Sequence, residues 1–378
     1  MTALAAMPAP LSTTPSAFSA PRTFVMAGGG TGGHVMPALA VARELKSRGH
    51  QPVFIGTRAG FEARLVPQSG FPLEWIEIGA LQRVGFVRTV RTLVELPFSL
   101  LRSYKLLKRH RPAAVFSMGG FVAGPVVLAA LVQRIPVVVM EPNAIPGLTN
   151  RRIGHFVKRA LLSFPEAASY FPKERVEITG LPVRPEFFDI PDKPPDGSIA
   201  ILVTGGSRGA RTLNRAAEES WSLFRRAGMP VRLLHQTGAQ AYDEIARAFS
   251  SSGLAGEVVP FIDDMPAAFA QADLVVCRSG AGAVAEVAAA GKPSILVPFP
   301  FAADDHQFHN ASAMSRIGAA RLVPDREMNG RRLFDEISRL FSDRAELRRM
   351  SALARGFAHP DAARRAADLL EKFGRASA

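Results

Sequence analysis

The segment TFVMAGGGTGGHVMPALAVARELKSRG, residues 23–49, admits few folds. A short apolar run passes through a glycine cluster at 28–33 into a helix-periodic stretch. Val35, Ala38, Leu39, Ala42 and Leu45 recur there at three- and four-residue spacing. Lys46, Arg48 and Gly49 mark its end, and Pro37 is expected in the first turn, where a missing N–H has no partner to lose. Strand, glycine turn and helix together aim free N–H groups and a helix dipole at one point, which suits an anion. His34 stands at the mouth of the turn, as a functional group or as a histidine satisfied by nearby backbone. Gly28, Gly30 and Gly33 match G-x-G-x-x-G formally. A nicotinamide cofactor also wants an acid about 20 residues on. The next apolar run, PVFIGTR at 52–58, ends without one, although Arg58 keeps a 2′-phosphorylated cofactor as an alternative.

The arrangement returns twice, in IAILVTGGSRGARTLN at 199–214, with Ser207 in its turn, and in DLVVCRSGAGAVAEVAAAG at 273–291, closing at Gly291. From 23 to about 180, apolar runs (TFVMA, PVFIG, LEWIEIG, AAVFSMGG, PVVVME, VKRALLS) alternate with helical stretches. That argues a parallel sheet covered on both faces. A linker with five prolines, GLPVRPEFFDIPDKPPDG at 180–197, puts a domain boundary near 183. The fold class is therefore α/β, with two Rossmann-like domains facing across a cleft, and 378 residues suffice for two cores. Residues 361–373 form a short amphipathic helix with Asp361 as N-cap and Ala362, Ala366, Leu369, Leu370 and Phe373 as its buried stripe. Residues 1–21, rich in Ala, Pro, Ser and Thr without a basic start, read as a disordered extension.

A formal charge of +13 calls for an anionic partner: nucleic acid, lipid or a phosphorylated substrate. Neither zinc-ligand spacing nor an aromatic–basic RNA signature is present, which disfavours nucleic acid. No apolar run reaches the roughly 20 residues that span a bilayer. The single cysteine, Cys277, precludes an internal disulfide and reads as strand-end packing. Residues 81–111 concentrate eight Lys or Arg against Glu95 alone. Residues 98–111 read as a solvated basic helix. Residues 81–91 read as a loop in which Leu81, Val84, Phe86 and Val87 interleave with Arg83 and Arg88. These six are the expected contacts with an anionic membrane, where each basic residue adds about 1 kcal/mol.

SMGGFVAGP (117–125) is a further glycine turn, and EPNAIPGLTNRR (141–152) follows the apolar PVVVM. Asn143 thus falls at the carboxyl end of a strand, where it offers donor and acceptor to a sugar hydroxyl or simply forms a turn. The chain has no D-x-D pair of the kind that bridges a metal to a diphosphate, so no metal or other cofactor is expected.

GGTGGHVMPALAVA, MGGFVAGP, EPNAIPGLTN, TGGSRGAR.LN, HQTG, FIDDM, ADLVVCRSGAGAVAE and DDHQ..NA occur in this order. The ordered set resembles the MurG family of N-acetylglucosaminyltransferases from about residue 23 to 373. The resemblance implies a GT-B fold: an N-terminal acceptor domain (22–183), a UDP-GlcNAc-binding domain (184–359) and a C-terminal helix (360–378) crossing back to the first. It implies inverting transfer of GlcNAc from UDP-GlcNAc to the 4-hydroxyl of undecaprenyl-diphospho-MurNAc-pentapeptide (lipid I), giving lipid II for peptidoglycan. The enzyme would sit peripherally on the cytoplasmic face of the inner membrane. His34 would be general base or hydroxyl-orienting residue. Thr31, Gly32 and Gly33 would meet the donor, Asn143 the transferred sugar, and Arg184 and Ser207 the diphosphate. Ile262 would meet uracil through its backbone. Ala281, Gly282, Ala283, Val284 and Ala285 would line the donor site, Glu286 would hold the ribose hydroxyls and Gln307 the GlcNAc hydroxyls. Ala283, Phe121, Ala123 and His306 depart from the family pattern. Two alternatives stay open: a UDP-GlcNAc 2-epimerase with the same two-domain fold, and a membrane-docking subunit without catalysis.

Overall fold

The computed structural model describes residues 20–30, 32–78, 85–193 and 197–374, with the side chains of 85–94 excepted. Thr31, Leu81, Arg83, Val84 and residues 1–19 of the expected extension lie outside that range, as do the side chains of Phe86, Val87 and Arg88.

Seven parallel strands form the first sheet: β1 (Thr23–Ala27), β2 (Gln51–Gly56), β3 (Leu73–Trp75), β4 (Ala114–Ser117), β5 (Val137–Glu141), β6 (Arg159–Leu162) and β7 (Val176–Ile178). Their order is β3-β2-β1-β4-β5-β6-β7. Helices α1 (Gly32–Ser47), α2 (Glu62–Gln68), α3 (Gly85–His110), α4 (Gly120–Val132) and α5 (Leu148–Ile153) connect them. The second sheet holds β8 (Ile199–Thr204), β9 (Val231–Gln236), β10 (Ala255–Val259), β11 (Leu274–Cys277), β12 (Ser294–Leu296) and β13 (Ala320–Leu322). It is again all parallel, in the order β10-β9-β8-β11-β12-β13. Its helices are α6 (Arg211–Arg226), α7 (Tyr242–Ser250), α8 (Met265–Gln271), α9 (Ala281–Ala289), α10 (His306–Arg316), α11 (Gly330–Ser342) and α12 (Arg344–Phe357), before α13 (Ala362–Gly374) ends the described chain.

The central strands read as unbroken apolar runs because both faces are covered. Phe24 and Met26 of β1 enter one core with Leu39, Phe116 and Leu370, while Val25 and Ala27 enter another with Ile55, Val115 and Val126. Strand order reverses between β1 and β4 and again between β8 and β11, so each domain has a switch point where ligands settle beyond the strand ends. The glycine turns read from the sequence lie at these two places.

Helix α1 buries Val35, Ala38, Leu39, Ala42 and Leu45 as expected. It ends at Gly49, whose φ of +84° suits a left-handed C-terminal residue, with its N–H on the Lys46 carbonyl and that of His50 on the Leu45 carbonyl. Because α1 starts at Gly32, Pro37 lies in the second turn and offers no N–H to the Gly33 carbonyl. The expected loop at 81–91 is also corrected: from Gly85 onward it is part of the continuous helix α3.

Helix α13 returns to the first domain and inserts Ala366, Leu369 and Leu370 beside α1. Arg48 reaches Asp368 at 2.7 Å and His50 reaches Glu371 at 2.8 Å. The Asp361 carbonyl accepts the Arg365 N–H at 2.8 Å, while the Asp361 carboxylate pairs with Arg364 at 2.9 Å. Leu370→Ala is expected to cost about 2–5 kcal/mol, and the exposed Lys372→Ala about 0.5 kcal/mol or less. Urea unfolding of the two variants checks this, and equal midpoints would contradict the docking.

Candidate active site

In the first domain, the turn after β1 encloses a side chain from its own chain. Glu62, the first residue of α2, is fully buried. Its Oε1 accepts the Thr57 N–H at 2.8 Å and the Thr57 hydroxyl at 2.7 Å, and its Oε2 accepts the Gly30 N–H at 2.8 Å. Glycine is needed around it, since a Cβ on Gly29 would lie 2.4 Å from the carboxylate and one on Gly60 2.1 Å. The turn expected to receive an external anion thus already holds a carboxylate. Arg58, the remaining support for a phosphorylated dinucleotide, lies 5.2 Å from the Trp75 ring centre. The buried Glu62 carboxylate at this turn counts against the dinucleotide alternative.

His34, in the first turn of α1, has Nδ1 3.2 Å from the Gly29 carbonyl oxygen. A carbonyl only accepts, so Nδ1 carries the proton and Nε2 is the basic nitrogen of the neutral ring. Burial pushes its pKa below 6.5. The Gly29 bond opposes this, His306 across the cleft adds to it, and Glu62 opposes it.

The second domain's turn is held differently. Gln236, at the end of β9, donates to the Thr204 hydroxyl at 3.1 Å and the Gly206 carbonyl at 2.9 Å, and accepts the Ile262 N–H at 2.8 Å. Gly209, with φ of +73°, passes so near the Thr237 carbonyl that a Cβ would lie 1.8 Å from its oxygen. The brace here is a neutral carboxamide bound to a carbonyl, so it brings no negative charge to the amides at the start of α6. Gly205, Gly206, Arg211 and Thr212 line a cavity of about 740 Å³ with Arg278, itself held by Asp325 at 2.5 Å. This turn, unlike the first, suits an external anion.

Between the domains lies a cavity of about 1010 Å³. Gly32, Gly33, His34 and Asn143 line it from one side, and Arg184, Ala281, Gly282, Ala283, Glu286 and Gln307 from the other. Ala283, Glu286 and Gln307 also line the second-domain cavity, so the two spaces adjoin along the start of α9. Burial pushes the Glu286 carboxyl up to about 7 against the pull of Arg184. Gln307 accepts the Phe299 N–H at 2.9 Å.

Asn143 accepts from the Asn310 carboxamide at 3.1 Å, and its N–H donates to Glu141 at 3.0 Å. Asn310, fully buried, also accepts the Ala144 N–H at 2.8 Å and donates to the Ser279 carbonyl at 3.1 Å. One carboxamide on α10 therefore ties the domains together at the cavity floor. Glu141 also takes the Gly147 N–H and the Asn150 carboxamide, and burial pushes its carboxyl up to about 7 despite these bonds.

Four expected residues lie elsewhere. Val284 and Ala285 pack into cores, Ser207 is exposed at the turn's tip outside both cavities, and Ile262 lines a separate cavity of about 630 Å³ with its N–H engaged by Gln236. The sequence reading missed Glu62, Glu141, Asn310 and Arg278. Glu141 carried a signal, as a charged residue closing an apolar strand, and Glu62 carried none, because its partners, two backbone amides and the Thr57 hydroxyl, are brought together only by folding.

Residues 24–162 match the glycosyltransferase family 28 N-terminal domain and residues 200–366 its C-terminal domain. Over 353 residues, 93% of this chain and 96% of the relative, the chain is 62% identical to a protein of Solibacter usitatus named UDP-N-acetylglucosamine--N-acetylmuramyl-(pentapeptide) pyrophosphoryl-undecaprenol N-acetylglucosamine transferase. The crystal structure of Acinetobacter baumannii MurG superimposes with a TM-score of 0.79 at 33% identity, covering 93% of this chain and 100% of that one. The chain belongs to the MurG family. The two doubly wound domains with their shared cavity are the GT-B arrangement of that family. A Neisseria meningitidis UDP-GlcNAc 2-epimerase, at 13% identity and a TM-score of 0.65 over 93% of this chain and 99% of that one, shares the fold alone.

In this MurG-family chain, Asn310→Ala removes the buried acceptor of the Ala144 amide, a loss of about 1–3 kcal/mol. Faster hydrogen exchange at Asn143 and Ala144 is expected, with a larger radius in X-ray scattering. Unchanged exchange at both amides would show that Asn310 does not tie the domains.

Proposed function

We propose that the chain transfers N-acetylglucosamine from UDP-GlcNAc to the 4-hydroxyl of the muramoyl residue of lipid I, with inversion, forming lipid II for peptidoglycan. The observation that carries this is a pair of adjoining cavities, one with a Nδ1-protonated histidine on its wall and the other lined by a second-domain glycine turn whose brace, Gln236, is uncharged. Nε2 of His34 takes the hydroxyl proton as the oxygen attacks the anomeric carbon, and UDP leaves with the bonding pair. Helix-start amides of the second domain and Arg184 stabilise the charge on the diphosphate. Glu286 holds the ribose, and Gln307 and Asn143 orient the sugar. The relative from Solibacter usitatus carries the donor, the undecaprenol-linked acceptor and the N-acetylglucosamine transfer in its name. We assign 22–183 together with residues 360–378, which carry α13, to the acceptor and 184–359 to the donor.

The acceptor's lipid requires a surface, and among the described residues no helix is long and apolar enough to cross a membrane. Phe98 is 71% exposed and Leu101 52% on α3, and Val132 is 70% exposed on α4. Gln133 donates to the Tyr104 carbonyl at 3.1 Å, joining the two helices there. Arg102, Lys105, Lys108 and Arg134 are exposed on the same helices or just beyond them. We place this apolar and basic face against anionic lipid at the cytoplasmic face of the inner membrane.

UDP release from UDP-GlcNAc should depend on a short-chain lipid I analogue. Acceptor-independent interconversion of the sugar would favour the epimerase instead. His34→Ala should lower kcat by about 10²–10⁴ with UDP affinity near wild type, and undiminished turnover would remove His34 from the mechanism. Since burial lowers the His34 pKa, its base form persists at pH 7 and the acid limb of kcat/KM should have its midpoint below 6.5. A midpoint above 6.5 would contradict that environment. Phe98→Ser with Val132→Ser should weaken binding to anionic vesicles without changing turnover of a soluble acceptor, and unaltered binding would misplace the membrane face.

A further inference from the structure

The Gly30 N–H that binds Glu62 and the Gly29 carbonyl that binds His34 belong to one amide. We propose that Glu62 is a positioning residue for the transfer, holding His34 in its Nδ1-protonated form through that intervening peptide. The inference rests on the reading of His34 as the base. A hydrogen bond from an amide N–H to a carboxylate shifts electron density onto the carbonyl oxygen and makes it a better acceptor. The chain of contacts runs from Oε2 of Glu62, 2.8 Å to the Gly30 N–H, then from the Gly29 carbonyl, 3.2 Å to Nδ1 of His34.

The surroundings of Glu62 are built for an acceptor. The Thr57 amide, the Thr57 hydroxyl and the Gly30 amide converge on its two oxygens and all three donate. The glycines at 29, 56 and 60 leave the space that Glu62 fills, since a Cβ on them would lie 2.4, 2.5 and 2.1 Å from its side chain. During transfer one proton moves from the acceptor hydroxyl to Nε2. The Nδ1 proton stays on the ring, and Glu62 neither gains nor loses one. Its fixed charge favours the imidazolium that forms, against the effects of burial and of His306. Glu62 from α2 and His306 from α10 act on His34, and the α4 residue packed against the ring, Gly120, carries no charge. Arg43, Glu44, Arg184 and Glu286 line the same cavity.

The test combines Glu62→Gln with imidazole ¹⁵N spectra of the wild-type protein, His34 being assigned by its loss in His34→Gln. Glu62→Gln puts an NH₂ or a neutral oxygen against Gly30. It should lower kcat by about 10- to 100-fold, the range seen when outer partners that orient metal-bound histidines are removed. KM for UDP-GlcNAc should hold within about twofold, and the acid limb should move to lower pH. A purely structural Glu62 would reduce folded protein and leave the limb in place, which would overturn the proposal. Should the variant not fold, the wild-type spectrum still decides, because a proton on Nε2 of His34 overturns the proposal alone. If His34→Gln keeps full turnover, the parent reading of His34 falls instead.

Discussion

The buried Glu62 carboxylate is the contact on which the rim of the first domain depends. It gathers the end of β2, through Thr57, and the turn after β1, through Gly30, into one rigid unit. A buried carboxylate must be surrounded by donors, and the backbone amides of two adjacent turns supply them at no cost in side-chain entropy. The domain thereby loses an anion site and gains a fixed carbonyl, that of Gly29, against which His34 is set. In the second domain Gln236 braces the equivalent turn with a neutral carboxamide. Two turns of similar composition, one in each domain, are therefore braced by groups of different charge, a carboxylate in the first and a neutral carboxamide in the second.

The two domains face each other across the cavity of about 1010 Å³. Asn310 sets that relation at the cavity floor through Ala144 and Asn143. At the edge, Arg151 of the first domain pairs with Asp304 of the second at 2.5 Å. Asp304 and Asp305 both have positive φ, at +50° and +49°, an unfavourable backbone held just before α10, the helix that carries Gln307 and Asn310. Helix α13 adds a covalent return from the second domain to the first, locked by apolar burial beside α1 and by Arg48.

Patterns of local period were legible. The apolar face of α1, its stop at Gly49, the repeated strand–turn–helix units and the stripe of α13 all follow from spacing, because one helix face or one strand must be dry. Elsewhere local chemistry allows two outcomes. Arginines interleaved with Val84, Phe86 and Val87 read as a loop, yet from Gly85 they join a helix, since the alternation also fits helical spacing. Val284 and Ala285, expected at the donor site with their neighbours, direct their side chains toward the cores, since a helix turns 100° per residue, while Ala283 and Glu286 face the cavities.

Sequence alone determined that the chain forms two parallel α/β units with glycine turns at their switch points, and its ordered motifs determined the family. These rest on steric and hydrophobic rules acting over a few residues. Tertiary structure decided what each turn can bind, because that depends on which side chain arrives beneath it. Glu62 lies 32 residues from Gly30 and Gln236 lies 30 from Gly206. It also decided which nitrogen of His34 is basic, since the Gly29 carbonyl placed 3.2 Å from Nδ1 accepts the proton there.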